Sequence, residues 1–313
     1  MSIDLSILIP THNRCGILSR TLDSLSELRV DGRSIEVLVV ANACTDQTVQ
    51  VVAEKAELLP FPVRCVSDPE PGLSRARNCA IEHARSDILA FLDDDVWVEE
   101  GWLVALLDTY ASQPEAAIVG GRVDLWWAEV QPPAWMTGRM VRLLSGTHLN
   151  SDREVELDGP LGLIGANFSF RRCVYEQIGG FRTDLGRTGQ GLGSAEECEY
   201  FARALAKGFR IFYTPFAGLK HWVAPDRVDI KYLDAVARGN ARSRVLMKKT
   251  FGAGQAFHTI AGHLYLILRH TPAELLHASR GDRRKQYDHS ILRMAGIGGL
   301  TGVWQRLTKG PES

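Results

Sequence analysis

The stretch Ile88-Leu-Ala-Phe-Leu-Asp-Asp-Asp-Val96 decides the fold. The apolar residues Ile88 to Leu92 run without a break into three carboxylates, Asp93, Asp94 and Asp95. A short continuous apolar run bounded by polar residues predicts a strand buried on both faces. Carboxylates packed side by side at the end of such a strand repel one another wherever water is excluded, so a cation belongs nearby. Mg²⁺ or Mn²⁺ takes one or two carboxylates plus substrate phosphates, and a D-x-D spacing on extended backbone can aim alternate oxygens at one ion. A solvated acidic turn ahead of the next helix is the other reading of the same residues.

Towards the N-terminus, Leu5 to Ile9, Ile35 to Val40 and Val63 to Val66 repeat the pattern of apolar runs ending in turn residues. Helical spacing separates them: Ile17, Thr21, Leu22 and Leu25; Val49, Val52, Ala53 and Ala56; Ala76, Ala80, Ile81 and Ala84. Alternating strands and helices predict an α/β protein with a mostly parallel, Rossmann-like central sheet flanked by helices. Ligands of such sheets bind beyond the carboxyl ends of the strands. The segments to read are therefore Pro10 to Arg14, Ala41 to Asp46, Asp68 to Gly72, and Asp93 to Asp95.

Beyond Val96 the pattern is mixed. We expect a helix over Trp102 to Tyr110, a strand near Ala117 to Val119, a loop from Trp126 to Trp135, and a Gly-rich loop from Gly186 to Gly193. A helix over Ala195 to Ala206 and a strand over Arg210 to Tyr213 follow. From Asp226 onwards the spacing is helical, which predicts a C-terminal helical extension over 226–313 behind a catalytic domain over 1–225.

At 313 residues, 45% hydrophobic and 23% charged, the chain can bury a large core. Its net charge of -1 argues against a nucleic-acid partner, which needs a basic surface to displace counterions. Six scattered cysteines without a C-x-x-C pair, and no secretory signal ahead of Pro10, predict reduced thiols and a cytoplasmic protein. Thr250 to Leu268 holds no Lys, Arg, Asp or Glu, yet Gln255, His258 and His263 interrupt it. That composition predicts an amphipathic helix rather than a membrane span. With Arg269 and the basic block Arg280 to Lys285, it could rest on the catalytic domain, make a homodimer, or attach peripherally to the inner face of a membrane.

Four segments in order carry a resemblance: Ser6-Ile-Leu-Ile-Pro-Thr-His-Asn-Arg14, Val39-Val-Ala-Asn-Ala-Cys-Thr-Asp46, Pro71-Gly-Leu-Ser-Arg-Ala-Arg-Asn78 and Phe91-Leu-Asp-Asp-Asp-Val96. Together with Gly120 to Val123, Gly165 to Arg171, Ile178 to Phe181, Glu196-Glu197 and His221-Trp222, they resemble the family 2 glycosyltransferases of the GT-A fold over roughly residues 3 to 223. The resemblance implies a nucleotide-sugar half over 1–115 and an acceptor half over 116–225. It implies that Pro10, Thr11, Asn13, Arg14, Asn42, Asp46, Arg75, Arg77, Asn78, Asp93 and Asp94 bind the nucleotide sugar. It implies a divalent cation on Asp93, Asp95 and His221, with Asp95 essential to catalysis. Glu197 stands where the family has its catalytic base, usually as the Asp of a Glu-Asp pair, with Glu196 and Glu199 as alternatives. Trp126, Trp135, Ala166, Asn167 and Glu196 would meet a hydroxyl-bearing acceptor, the tryptophans by stacking on sugar faces.

The family's acidic reader of the uracil edge has no counterpart here, since Ala41 and Asn42 occupy that place. A UDP-sugar is the first expectation, with Asn42 or backbone reading the base. Several residues also have purely structural readings. Asp46 precedes a helix and could be its cap; Glu196 and Glu197 open another, where the helix dipole favours carboxylates. A catalytically inactive nucleotide-sugar-binding relative is the alternative function. A nucleotidyltransferase fits less well, since Pro10 to Arg14 lacks a glycine cluster.

Overall fold

The computed structural model describes residues 3–149, 151–187, 195–248 and 252–309. The Gly-rich loop expected from Gly186 to Gly193 falls mostly outside the described residues. The first half alternates as expected: β1 (Leu5–Thr11), α1 (Cys15–Leu25), β2 (Ile35–Asn42), α2 (Thr48–Ala56), β3 (Val63–Asp68), α3 (Leu73–His83) and β4 (Ile88–Leu92). Every residue of β1 and β2 is buried, as a strand covered on both faces requires. β1 pairs in parallel with β2, Leu5 opposite Ile35, and on its other side with β4, Leu8 opposite Phe91. The chain therefore runs outward from β1 through β2 to β3, then returns to the opposite side of β1 for β4. Connections diverge between β1 and β4, and a crevice opens at their carboxyl ends.

The second half contributes β5 (Val96–Val98), α4 (Trp102–Ser112), β6 (Ala116–Trp126), α5 (Gly138–Leu143), β7 (Val155–Leu157), β8 (Asn167–Arg171), α6 (Arg172–Ile178), α7 (Glu196–Ala206) and β9 (Arg210–Trp222). Among the described residues nine strands form one mixed sheet in the order β3-β2-β1-β4-β8-β6-β9-β5, with β7 paired to β9. Several boundaries differ from expectation. β6 extends to Trp126 and β9 to Trp222, well past the apolar stretches at Ala117 to Val119 and Arg210 to Tyr213. Their later residues are only partly apolar and partly buried, and they pair with each other as far as Trp126 opposite Trp222. Helix α7 begins at Glu196, because Ala195 has φ 136°, outside the helical region.

The chain divides into two compact units. One comprises Met1–Trp126, Ser145–Thr183 and Glu197–Trp222, and holds the sheet. One of its cores joins Ile7, Ile9 and Val37 to Leu18, Leu22 and Leu25 of α1. The other is aromatic: Phe91, Phe168, Phe170, Phe181 and Tyr200 stack or meet edge to face, with Phe181 and Tyr200 centroids 4.3 Å apart.

The other unit comprises Trp127–Leu144, Asp184–Glu196 and Val223–Ser313. It carries α5 and the three long helices α8 (Ile230–Leu246), α9 (Ala253–Ser279) and α10 (Arg283–Lys309). Glycines let these helices approach closely. A methyl on Gly298 of α10 would lie 2.0 Å from the Arg238 carbonyl of α8, and one on Gly299 2.1 Å from the His263 ring of α9.

Candidate active site

The sheet-bearing unit gathers its polar residues at the crevice. Thr11 ends β1, Arg14 follows it, Asp93 to Asp95 follow β4, and His221 lies near the end of β9. The turn carrying the three aspartates is pinned from beneath. Thr21 of α1 donates its hydroxyl to the Asp94 carbonyl at 2.8 Å and accepts the Val96 amide at 3.1 Å. The Trp222 amide donates to the Asp95 carbonyl at 2.8 Å, and Val96 pairs with His221 across β5 and β9. Strand pairing thus carries His221 to the aspartates from 126 positions further along the chain than Asp95.

Each carboxylate has a distinct setting. Asp94 is buried and accepts the Thr11 hydroxyl at 2.6 Å and an Arg14 guanidinium N–H at 2.5 Å. Burial pushes its pKa up to about 7; Arg14 opposes that shift, while Asp95 adds to it. Asp95, 2% exposed, accepts the second arm of Arg14 at 2.8 Å and lies 3.1 Å from His221 Nε2. Burial alone would lower the pKa of Arg14, but Asp95 and then Asp94 outweigh it, so the guanidinium stays charged. Asp93 is the most open of the three, at 30% side-chain exposure, with His221 Nε2 at 3.9 Å and Arg77 Nη2 at 4.0 Å.

Asp93, Asp95 and His221 each offer a ligand atom within 4.8 Å of the others. Two carboxylate oxygens and an imidazole nitrogen suit Mn²⁺ or Mg²⁺, with positions left for diphosphate oxygens. The donor set therefore fits a divalent cation. His221 is 3% exposed, and its Nδ1 has no hydrogen-bond partner among the described residues.

Around this centre the expected binding residues separate into those that face the crevice and those that build it. Asn13, held at φ 51°, accepts the amide of Thr45 at 2.7 Å and so locks the β1–α1 loop to the β2–α2 loop. Asp46 binds both loops too: it accepts the Thr48 hydroxyl and the Cys15 amide, at the starts of α2 and α1. Burial would raise its pKa, but those hydrogen bonds outweigh it and hold the carboxyl at about 2. Pro10 is buried within β1.

Asn42, expected as a reader of the base, is consumed by its neighbours. Its amide donates to Asp68 at 3.0 Å and to the Glu70 carbonyl at 2.7 Å, and its oxygen accepts the Gly72 amide at 2.8 Å. Asp68, which sequence reading left without a role, thereby stands at the end of β3 as the acidic group beside Asn42. Its position after a short strand was the available signal.

Arg75, expected in the nucleotide pocket, pairs with Glu70 at 3.0 Å, both largely exposed. Asn78 is turned away, bonded to the Phe181 amide at 2.7 Å and carbonyl at 2.9 Å. Arg77 is buried, its guanidinium within 5.9 Å of the Phe91, Phe168 and Phe181 ring centroids and bonded to the Gly165 carbonyl at 3.3 Å. Gly165 is where Arg77 and Glu197 converge: a methyl there would lie 2.8 Å from Arg77 Nη2 and 3.6 Å from Glu197 Cδ. Arg77 in turn lies 4.0 Å from Asp93. Glu199 is instead clamped by Arg203 at 2.9 Å, and Glu196 folds back to accept the Ala195 amide at 3.1 Å.

The residues expected to meet an acceptor fall in both units. Trp126 carries the Arg20 guanidinium 4.5 Å over its ring and meets Trp97 edge-on. Trp135 belongs to the other unit, edge-on to Tyr287 at 5.2 Å. Ala166 is fully buried. Asn167 bolts the sheet, accepting the Trp102 indole N–H at 2.9 Å and donating to the Arg122 and Ala217 carbonyls.

Comparison with known proteins agrees with this geometry. The sequence model described as "Glycosyl transferase family 2" matches residues 6–179. The chain is 28% identical to "Succinoglycan biosynthesis protein ExoM" of Rhizobium meliloti, over 91% of this chain and 89% of that protein. It is 27% identical to "Glucosyl-dolichyl phosphate glucuronosyltransferase" of Haloferax volcanii, over 73% and 72%. Its fold resembles a mannosyltransferase of Pyrobaculum calidifontis solved with GDP-Man and Mn²⁺, at a TM-score of 0.62 and 19% identity over 96% of this chain and 88% of that one. It also resembles S. aureus TarS 1-349 in complex with UDP, at a TM-score of 0.52 and 16% identity over 95% and 92%.

Proposed function

We infer the reaction from one premise: the chain belongs to glycosyl transferase family 2. We propose that it moves a sugar from a nucleoside diphosphate sugar to an acceptor hydroxyl, in one displacement that inverts the anomeric carbon. The observation that carries the proposal is the convergence of Asp93, Asp95 and His221 at the switch point of the sheet. A divalent ion held by these residues would supply Lewis-acid stabilisation to the departing diphosphate. The chain's own residues do the rest. Arg14 fixes the orientation of Asp94 and Asp95 through one N–H to each, so the ligand carboxylate is preorganised. Glu197 takes the proton of the acceptor hydroxyl as it attacks the face opposite the leaving group. A single base serves an inverting displacement, and no covalent sugar intermediate is required.

For the donor base we propose uracil. Ala41 offers no side-chain acceptor and the Asn42 amide is engaged, but the Asp68 carboxylate beside it can accept an N–H from the base edge.

Thermal melting with UDP or GDP, with and without Mn²⁺, tests donor binding. Saturating UDP with Mn²⁺ should raise the melting temperature by roughly 5 °C, since a ligand at a hundredfold its Kd stabilises the native state by about 2.7 kcal/mol. A larger shift with GDP would replace uracil by guanine. No shift with any nucleoside diphosphate would sink the transferase reading in favour of an inactive relative. Asp93→Ala should abolish the Mn²⁺-dependent shift, and Glu197→Gln should keep that shift while losing turnover in a transfer assay. Normal turnover by Glu197→Gln would remove it as the base.

A further inference from the structure

Helix α9 leaves one entire face uncovered. Phe257 is 70% exposed, Leu264 44%, Tyr265 55%, Leu268 74%, Leu275 66% and Leu276 46%. Ala261 and Pro272, also exposed, occupy the places between. Steps of three and four residues return to one side of a helix, so these side chains form a single apolar stripe about 28 Å long. The opposite side of α9 does the packing. There Ile267 and His263 meet Gly296 of α10, the His270 ring lies against His289, and Glu274 pairs with Arg293 at 2.6 Å.

The charges around the stripe are of one sign. Arg269 borders it and donates to the Tyr265 hydroxyl at 2.7 Å, a cationic head at the polar rim of an apolar strip. Arg280 follows the last turn, and Arg283, Arg284 and Lys285 open α10, all exposed. Glu274 is the sole acid in the sequence of α9, and it faces the other way. Asp282, in the turn, is shared by His277 and Lys285.

We propose that α9 lies flat in the surface of an anionic bilayer, with the stripe among the acyl chains and these basic residues on lipid phosphates. A second copy of the chain suits the face less well. Two such stripes laid together would bring cationic rims side by side with no acidic residue on either face to pair them, whereas anionic headgroups neutralise them. No helix among the described residues is long and apolar enough to cross a membrane, so attachment through α9 would be peripheral.

Flotation of the full chain with phosphatidylcholine vesicles, with and without phosphatidylglycerol, tests it. The wild-type chain should float with the phosphatidylglycerol vesicles at low salt and be released at high salt. Leu268→Asp with Leu275→Asp should lower the bound fraction at least about tenfold, and Arg280→Ala, Arg283→Ala and Arg284→Ala together should abolish the preference for anionic lipid. All five positions are exposed, so unchanged thermal melting would show that folding is intact. The proposal fails if the wild-type chain stays soluble at low salt, or if both variants float as well as it does. It also fails if light scattering shows a dimer that the double Leu variant dissociates while no form of the chain floats.

Discussion

Asn42 shows how far a side chain's surroundings depend on residues distant in the chain. Its position at the end of β2 suggested contact with a base, and its amide makes three hydrogen bonds that hold Asp68, Glu70 and Gly72 in place. The bonds were invisible in the sequence because their partners lie 26 to 30 residues away. Asn42→Ala would strand the Gly72 amide and release the Asp68 to Gly72 loop that Asn42 holds. We expect a loss of about 2 kcal/mol, from a partly buried donor left unsatisfied, measured by chemical denaturation. Loss of UDP binding without any loss of stability would instead make Asn42 a direct ligand contact. The residues of the metal triad were legible for the opposite reason. Asp93 and Asp95 lie two positions apart in one motif, and His221, near the end of β9, comes in the same order as in the resemblance.

Among the elements, β6 and β9 depart most from their sequence signal, and the reason lies in how they pair. Register shifts between Gly121 and Val123, where β9 bends past Pro215 to Gly218. A methyl on Gly121 would lie 1.9 Å from the Ala217 carbonyl, an approach only a hydrogen permits. That close passage also lets Asn167 of β8 reach the Ala217 and Arg122 carbonyls. Gly121→Ala should therefore separate the strands and cost about 3 kcal/mol or more, seen as a lowered melting temperature. Since β9 carries His221, the same substitution should weaken Mn²⁺ binding. A variant that melts like the wild-type chain would show that the bend can relax.

At the scale of the whole molecule, the helical unit adds a dependence of stability on pH. The pKa of His270 is lowered by burial first, and then by His289, Arg269 and Arg139, with Asp288 opposing; His263 is lowered by burial and by Lys248. Below the unfolded value of about 6.5 the unfolded chain binds protons that the folded imidazoles refuse. Their contribution is therefore present above that pH and is lost as the solution is acidified. Asp94, raised to about 7, works in the other sense, because the folded state holds its proton over a range where the unfolded one does not. Denaturation midpoints between pH 7.5 and roughly pH 5.5 should fall less steeply in His270→Asn than in the wild-type chain. Equal slopes would show that His270 titrates alike in both states.

The sequence alone determined the parallel half of the sheet, the crevice at its carboxyl ends and the aspartates within it. Those features rest on local periodicity and on motifs whose residues are neighbours in the chain. Only the tertiary structure decided which polar residues face the crevice and which brace it, because that depends on partners brought in from other strands. It also decided that the apolar face of α9 is bare: periodicity reveals that a face exists, but whether it is covered depends on where α8 and α10 pack.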